Sequence, residues 1–214
     1  MPATGAAGFA SLPKRVRAFI ALRLDAKVEE ALAGLIERLC APRNDIRDDG
    51  IRWVPRANLH LTLFFLGPSV PRERLAPIAD ALGEIAEAAA PFDIAARGVG
   101  AFPNLARPRI IWVGLDQVGL DGDGLAGLAT RVTEAAERCG FAPGRRAYSP
   151  HLTIGRVRSL KLPEPLRRTL GKTAASGFGV SRIERVILYR SEPGPQSSTY
   201  HELAAFALGV RERG

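Results

Sequence analysis

Two of the chain's three histidines open the same four-residue phrase, His60-Leu61-Thr62-Leu63 and His151-Leu152-Thr153-Ile154. Along a β-strand, residues i and i+2 share one face while i+1 and i+3 share the other. As strands, the phrases present His60 with Thr62, and His151 with Thr153, to one side. Their aliphatic partners point oppositely and anchor each strand in a core. Imidazole titrates at about 6.5, so at neutral pH one histidine can accept a proton while another donates one. Two histidines converging on one group therefore suit acid–base catalysis. Threonine hydroxyls beside them can donate to phosphoryl oxygens as charge builds. The chemistry this favours is in-line displacement at phosphorus without a metal. Metal ligation is the rival use of a histidine pair, but neither phrase supplies a carboxylate or cysteine at ligand spacing. His201, in Thr-Tyr-His-Glu-Leu, has no such threonine and reads as a structural residue of an edge strand.

The elements around these phrases alternate regularly. Residues 16–24, VRAFIALRL, predict a strand with Arg17 and Arg23 at its edges. Asp25 is placed to cap a helix whose stripe is Val28, Leu32, Leu35, Ile36 and Leu39. IRWVPRANLHLTLFFLG reads as strand on both sides of a turn at Pro55 and Asn58. A helix is predicted over about 75–89, with Pro77 in its first turn. FDIAARGVGAF and PRIIWVGL predict two strands joined around Pro103 and Asn104. DGDG at 121–124 reads as a capping turn before a helix marked by Leu125, Leu128, Val132, Ala136 and Cys139. The HLTI strand follows, then a partly helical stretch over 163–173 and final strands in IERVILYRS and YHELAAFAL. Strand, helix, motif strand, helix, two strands, and then much the same again describe an α+β fold of two related lobes with helices outside. Residues 14–210 are expected to form one bilobal domain and residues 1–13 a disordered tail.

Composition sets wider bounds. A 46% apolar content and mean hydropathy of +0.01 describe a globular chain. The net charge of +8 favours a polyanionic partner, RNA foremost. Nearly all the basic residues are arginine, which suits phosphate recognition but equally reflects codon bias. Cys40 and Cys139 lack CxxC partners and read as free thiols of a reducing compartment. The first residues are small and polar, without an apolar run for a signal peptide or membrane span, so a cytoplasmic protein with no membrane partner is expected. GKT at 171–173 is not a P-loop, because Leu166 stands where a glycine is required. GVGAF lacks the third glycine of a dinucleotide fingerprint, and DGDG lacks the further ligands of a calcium loop.

The paired phrases resemble the HxTx motifs of the 2H phosphoesterase superfamily. More closely, the chain is similar to the bacterial and archaeal RNA 2',3'-cyclic phosphodiesterases, historically called 2'-5' RNA ligases. The similarity runs from about Val16 to Leu208 through RAFIALRLD, RWVPRANLHLTLFFLG, GAFPNLARPRIIWVGL, SPHLTIGRV and LYRSEPGPQSSTYHELAAFAL. It implies two mainly antiparallel sheets lining a central cleft with helices outside. It also implies hydrolysis of RNA 2',3'-cyclic phosphate ends to 2'-phosphomonoesters without a cofactor; no metal is expected, and the chain is expected to act as a monomer. By the family pattern His60 protonates the departing 3'-oxygen and His151 takes a proton from the attacking water, while Thr62 and Thr153 hold the non-bridging oxygens. The two phrases are physically near-equivalent, so this division of roles rests on the resemblance.

Arg156 matches a basic position after the second motif, and Phe102 an aromatic position suited to stacking on a base. Core packing beside Pro103 is the competing reading of Phe102. Strand parity turns Arg156 away from His151, which requires a bulge or strand end at Gly155. Relatives often carry a basic residue after the first motif. Here it is Phe64, so that side is expected to lack a phosphate contact. Small cyclic-nucleotide hydrolysis, 2'-5' RNA ligation and non-catalytic RNA binding are the alternative functions.

Overall fold

The computed structural model describes residues 6–40, 50–119, 124–142, 148–158, 162–195 and 197–209. The expected first strand forms as β1 (Arg15–Leu22), and the apolar stripe as α1 (Ala26–Cys40), with all five stripe residues buried. Asp25 accepts the Glu29 N–H on its carbonyl, but its carboxylate takes the backbone N–H of Arg182 at 2.9 Å. Then come β2 (Ile51–Trp53), a 3-10 turn at Arg56–Asn58, β3 (Leu61–Pro71) and α2 (Leu75–Ala88). The second half holds β4 (Phe92–Phe102), β5 (Ile110–Val118), α3 (Gly124–Arg138), β6 (His151–Val157) and α4 (Glu164–Lys172). It ends with β7 (Gly177–Ile183), β8 (Arg185–Glu192) and β9 (Thr199–Ala207). Sequence patterning missed β7. Its glycines and its irregular burial hide it, and it forms by pairing with β4 at the sheet edge. The capping turn expected at DGDG falls, apart from Gly124, outside the described residues.

The strands form one nine-stranded sheet in the order β7-β4-β5-β6-β3-β1-β8-β9, with β2 paired to β6. Every recorded pairing is antiparallel. The two expected sheets are therefore halves of one sheet. Each half ends at a motif strand, and the halves meet at a single residue pair, Leu61 opposite Leu152. Helices tie the halves together from behind. α1 follows a strand of the first half yet packs on β7 of the second, and α3 touches both β3 and β4. Ile20, Leu61, Val113 and Leu152, drawn from both halves, belong to one apolar core.

The expected tail does not extend to residue 13, because Ala6–Phe9 form a 3-10 turn and Phe9 is buried in the core at 3% exposure. The Arg72 guanidinium also donates to the carbonyls of Ala10 and Leu12, at 2.8 and 2.9 Å. Phe9 and the Arg72 bonds together hold this small, polar segment to the fold. Cys40, at the end of α1, is exposed and Cys139 half-buried. Among the described residues no helix is long and apolar enough to cross a membrane.

The junction has a direct energetic test. Leu152 is fully buried, and Leu152→Ala removes one side of the single recorded pair that joins the half-sheets. Urea denaturation is expected to show a loss of about 2–5 kcal/mol, the usual cost of deleting a buried leucine where the site cannot collapse. A loss below about 1 kcal/mol contradicts a tightly packed junction.

Candidate active site

Leu61 and Leu152 are opposed and buried, so the residues flanking them on both strands turn to the other face. In this register His60 stands across from Thr153, and Thr62 across from His151. Continued as an ideal antiparallel ladder, this register sets the two histidines at diagonal positions, about 7–8 Å apart at Cα. His60 and Thr62 line one cleft pocket, whereas among the described residues His151 and Thr153 do not line it.

Each ring is oriented in the same way. The Nδ1 of His60 donates to the carbonyl of Asn58 at 2.7 Å, and the Nδ1 of His151 to that of Ser149, also at 2.7 Å. A carbonyl only accepts, so both Nδ1 atoms carry the proton and both Nε2 atoms are left for the cleft. These bonds come from the backbone two residues upstream, in the 3-10 turn before β3 and in the Ser149-Pro150 approach to β6. Neither was readable in the sequence, because it carries no side-chain signature.

The surroundings of the two rings differ. His60 lies 4.9 Å from Phe19 and 5.1 Å from Tyr200 between ring centroids. Phe19 and Tyr200 belong to a small apolar cluster on the cleft side, with Ala21, Ile187 and Tyr189. Burial in this setting pulls the His60 pKa down to about 4. The charges of Arg156 and Arg23 add to the fall, while the Asn58 carbonyl opposes it. Arg23 is held behind the ring by Glu29, with its Nε 3.0 Å from the carboxylate. His151 instead meets the edge of Phe102 at 5.0 Å, and Phe102 leans on Trp112 at 5.2 Å. Phe102 therefore packs against His151 and Trp112, the packing reading of this residue.

Both motif strands bulge just past their threonine. On β3, Thr62 pairs with Ala21 but Phe64 with the adjacent Ile20, leaving Leu63 extra. On β6, Thr153 pairs with Trp112 but Gly155 with the adjacent Ile111, leaving Ile154 extra. The bulge expected at Gly155 is present, and β3 carries an unexpected counterpart. The added residue restores Phe65 and Arg156 to the histidine–threonine face. Gly155 also lets Trp53 of β2 close in, since a Cβ there would lie 3.1 Å from its ring.

Arg156 shares a cleft pocket of about 420 Å³ with His60, Thr62, Phe65, Arg17 and Tyr200. Phe64 is buried, yet the first half does not lack a cation. Arg17 of β1 lies over the Phe65 ring, 4.4 Å from its centroid. The sequence signal was present, because Arg17 has the strand parity of Phe19 and Ala21. His201 stays outside this pocket, on edge strand β9, bonded to Glu192 at 2.9 Å. Among the described residues no three of His, Cys, Asp and Glu gather as a metal-binding group.

Residues 26–112 match the family described as LigT like Phosphoesterase. The RNA 2',3'-cyclic phosphodiesterase of Archaeoglobus fulgidus is 33% identical over 191 residues, 89% of this chain and 99% of that protein. The RNA 2',3'-cyclic phosphodiesterase of Thermus thermophilus is 36% identical over 186 residues, 84% of this chain and 85% of that one. The crystal structure of TT0787 from Thermus thermophilus matches with a TM-score of 0.72 at 27% identity, over 92% of this chain and 100% of the other. The chain belongs to the LigT-like phosphoesterase family, within the 2H phosphoesterases.

The electrostatics of His60 can be measured directly. In the free protein its ring is expected to stay neutral until the pH falls to about 4. Arg156→Gln removes a cation that opposes protonation, so the midpoint moves upward. NMR titration of the ring protons reads both. A wild-type midpoint at the ordinary value of about 6.5, or no upward movement in the variant, contradicts this account.

Proposed function

We propose that the protein hydrolyses the 2',3'-cyclic phosphate at an RNA end to a 2'-phosphomonoester, with His60 and His151 as the acid–base pair. The observation that supports this reading is the meeting of the two motif strands at Leu61 and Leu152 with both histidine Nδ1 atoms engaged, which leaves each Nε2 atom for a phosphate. Water attacks phosphorus as its proton passes to Nε2 of His151. The bond from phosphorus to the 3'-oxygen breaks, and that oxygen takes the proton on Nε2 of His60. Thr62 and Thr153 donate to the non-bridging oxygens, and Arg156 offsets their charge. Phe102, beside His151, offers a ring for a base.

The acid role places a demand on His60, which is neutral in the empty site. Burial is the larger cause of that state and the arginine charges add to it, so an anionic phosphate beside Arg156 raises the His60 pKa by offsetting the second. Both histidines come from one chain, and a monomer suffices as the active unit. A cytoplasmic setting agrees with a sequence whose two cysteines lack CxxC partners.

The reaction is tested by incubating the protein in EDTA with adenosine 2',3'-cyclic phosphate and with an RNA so terminated, following products by phosphorus NMR. Wild type is expected to form only the 2'-phosphate. His60→Ala and His151→Ala should each lower kcat by about 10²–10⁴-fold, the usual contribution of one proton-transfer group. Formation of the 3'-phosphate contradicts the placement of His60. Loss of activity in EDTA contradicts the metal-free route, and RNA binding without turnover favours a binding module.

A further inference from the structure

His60 is aimed by a short turn, and that turn is fastened to a distant part of the chain by one side chain. Asn58 closes the 3-10 turn at Arg56–Asn58, its backbone N–H donating to the carbonyl of Pro55 at 2.8 Å. The Asn58 carbonyl is the group that takes the Nδ1 proton of His60 at 2.7 Å. Its side-chain amide donates to the carbonyl of Ser198, also at 2.7 Å and 140 residues away in sequence. Ser198 immediately precedes β9, and Tyr200 follows two residues later. The Tyr200 ring stands at 89° to the His60 ring, with centroids 5.1 Å apart. Both Ser198 and Tyr200 line the His60 pocket. The Asn58 amide thus joins two supports of one imidazole, the carbonyl that holds Nδ1 and the aromatic ring packed against it.

The turn depends on such a bond. Pro55, Arg56 and Ala57 are exposed, and only Leu59 behind them is buried, so the turn has little apolar packing of its own. Arg56 reaches outward to the carbonyl of Ala26 at 3.0 Å, away from the ring it precedes. A hollow of about 60 Å³ lies beside the turn, lined by Ala57, Asn58, His60 and Tyr200 among others. That space leaves the ring room to turn unless the residues before it are held. A neutral amide suits the task, because it donates to a carbonyl without adding charge beside an acid. A carboxylate of the same shape offers only lone pairs to the Ser198 oxygen.

We propose that Asn58 is a positioning residue for the reaction, whose side chain, through Ser198, locks the carbonyl and the Tyr200 ring that together aim Nε2 of His60. The proposal rests on the acid role of His60 and adds to the HxTx residues one that touches neither substrate nor phosphorus.

Asn58→Ala and Asn58→Leu both remove the amide and keep the backbone carbonyl. The leucine nearly matches asparagine in volume, so its result stands even where the smaller side chain folds poorly. With adenosine 2',3'-cyclic phosphate, each variant is expected to lower kcat about tenfold or more while KM moves less than about twofold, because a misaimed proton donor weakens the transition state more than binding. Nitrogen-15 NMR of the neutral imidazoles gives a readout that needs no turnover. Wild type should show the Nδ1–H form at His60. Both variants should show that form mixed with Nε2–H, with the His151 signals unmoved. Arg52→Gln is the control, since Arg52 donates to the carbonyl of Pro195 at 3.2 Å, in the same connection before β9, but lies outside the His60 turn. It is expected to leave both kcat and the His60 spectrum unchanged. An unchanged His60 spectrum or an unchanged kcat in the folded Asn58 variants overturns the proposal. An Arg52→Gln protein that reproduces both effects also overturns it, because the connection as a whole is then what holds the ring. If wild type turns over no cyclic phosphate, the acid role of His60 falls, and the nitrogen spectrum alone decides whether Asn58 sets the form of the ring.

Discussion

Leu61 packed opposite Leu152 is the contact on which the rest of the molecule depends. It is the one recorded pair between β3 and β6, and so the one recorded backbone link between two half-sheets. Both side chains are withdrawn from water, and that burial fixes the parity of the strands around them. A slip of one residue on either strand would bury a histidine and a threonine and expose two aliphatic side chains. The register that keeps the core dry is therefore the register that assembles the site. Helices that cross from one half to the other hold the two strands at that meeting point.

Around this near-symmetric centre the protein builds asymmetry. The two rings are pinned by equivalent bonds to the backbone, and the two strands bulge at equivalent places. At the corresponding position past each bulge stands Phe65 in one half and Arg156 in the other. Phe65 carries no charge, but it supports a guanidinium brought from β1. His60 is boxed by aromatic rings between two arginines, whereas His151 meets only the edge of Phe102. A proton on His60 is disfavoured in that environment.

Much of this is legible in the residues themselves. Alternation in VRAFIALRL and in the two motif strands places the sheet, and the stripe from Val28 to Leu39 places α1. The HxTx repeat locates the four motif residues, and the parity of Arg156 calls for the bulge that β6 contains. What escapes has a common cause. β7 has glycines in place of an apolar rhythm and gains its conformation from its neighbour. Phe9 and the Arg72 bonds hold a segment whose average composition is that of a tail. Arg17 lines the His60 pocket from a strand distant in sequence, so its strand parity alone does not link it to His60. Phe64 draws attention as the residue after the motif, but the β3 bulge turns it into the core and hands its place to Phe65.

If the two half-sheets deliver both histidines to one phosphorus, a bound product must touch both rings. A crystal structure with adenosine 2'-phosphate bound tests it most directly, through the distances from each Nε2 to the phosphate oxygens. Both Nε2 atoms are predicted to lie within about 3 Å of oxygens of the same phosphate, with both Nδ1 bonds to Asn58 and Ser149 retained. A phosphate held by one histidine while the other ring points elsewhere would contradict the account.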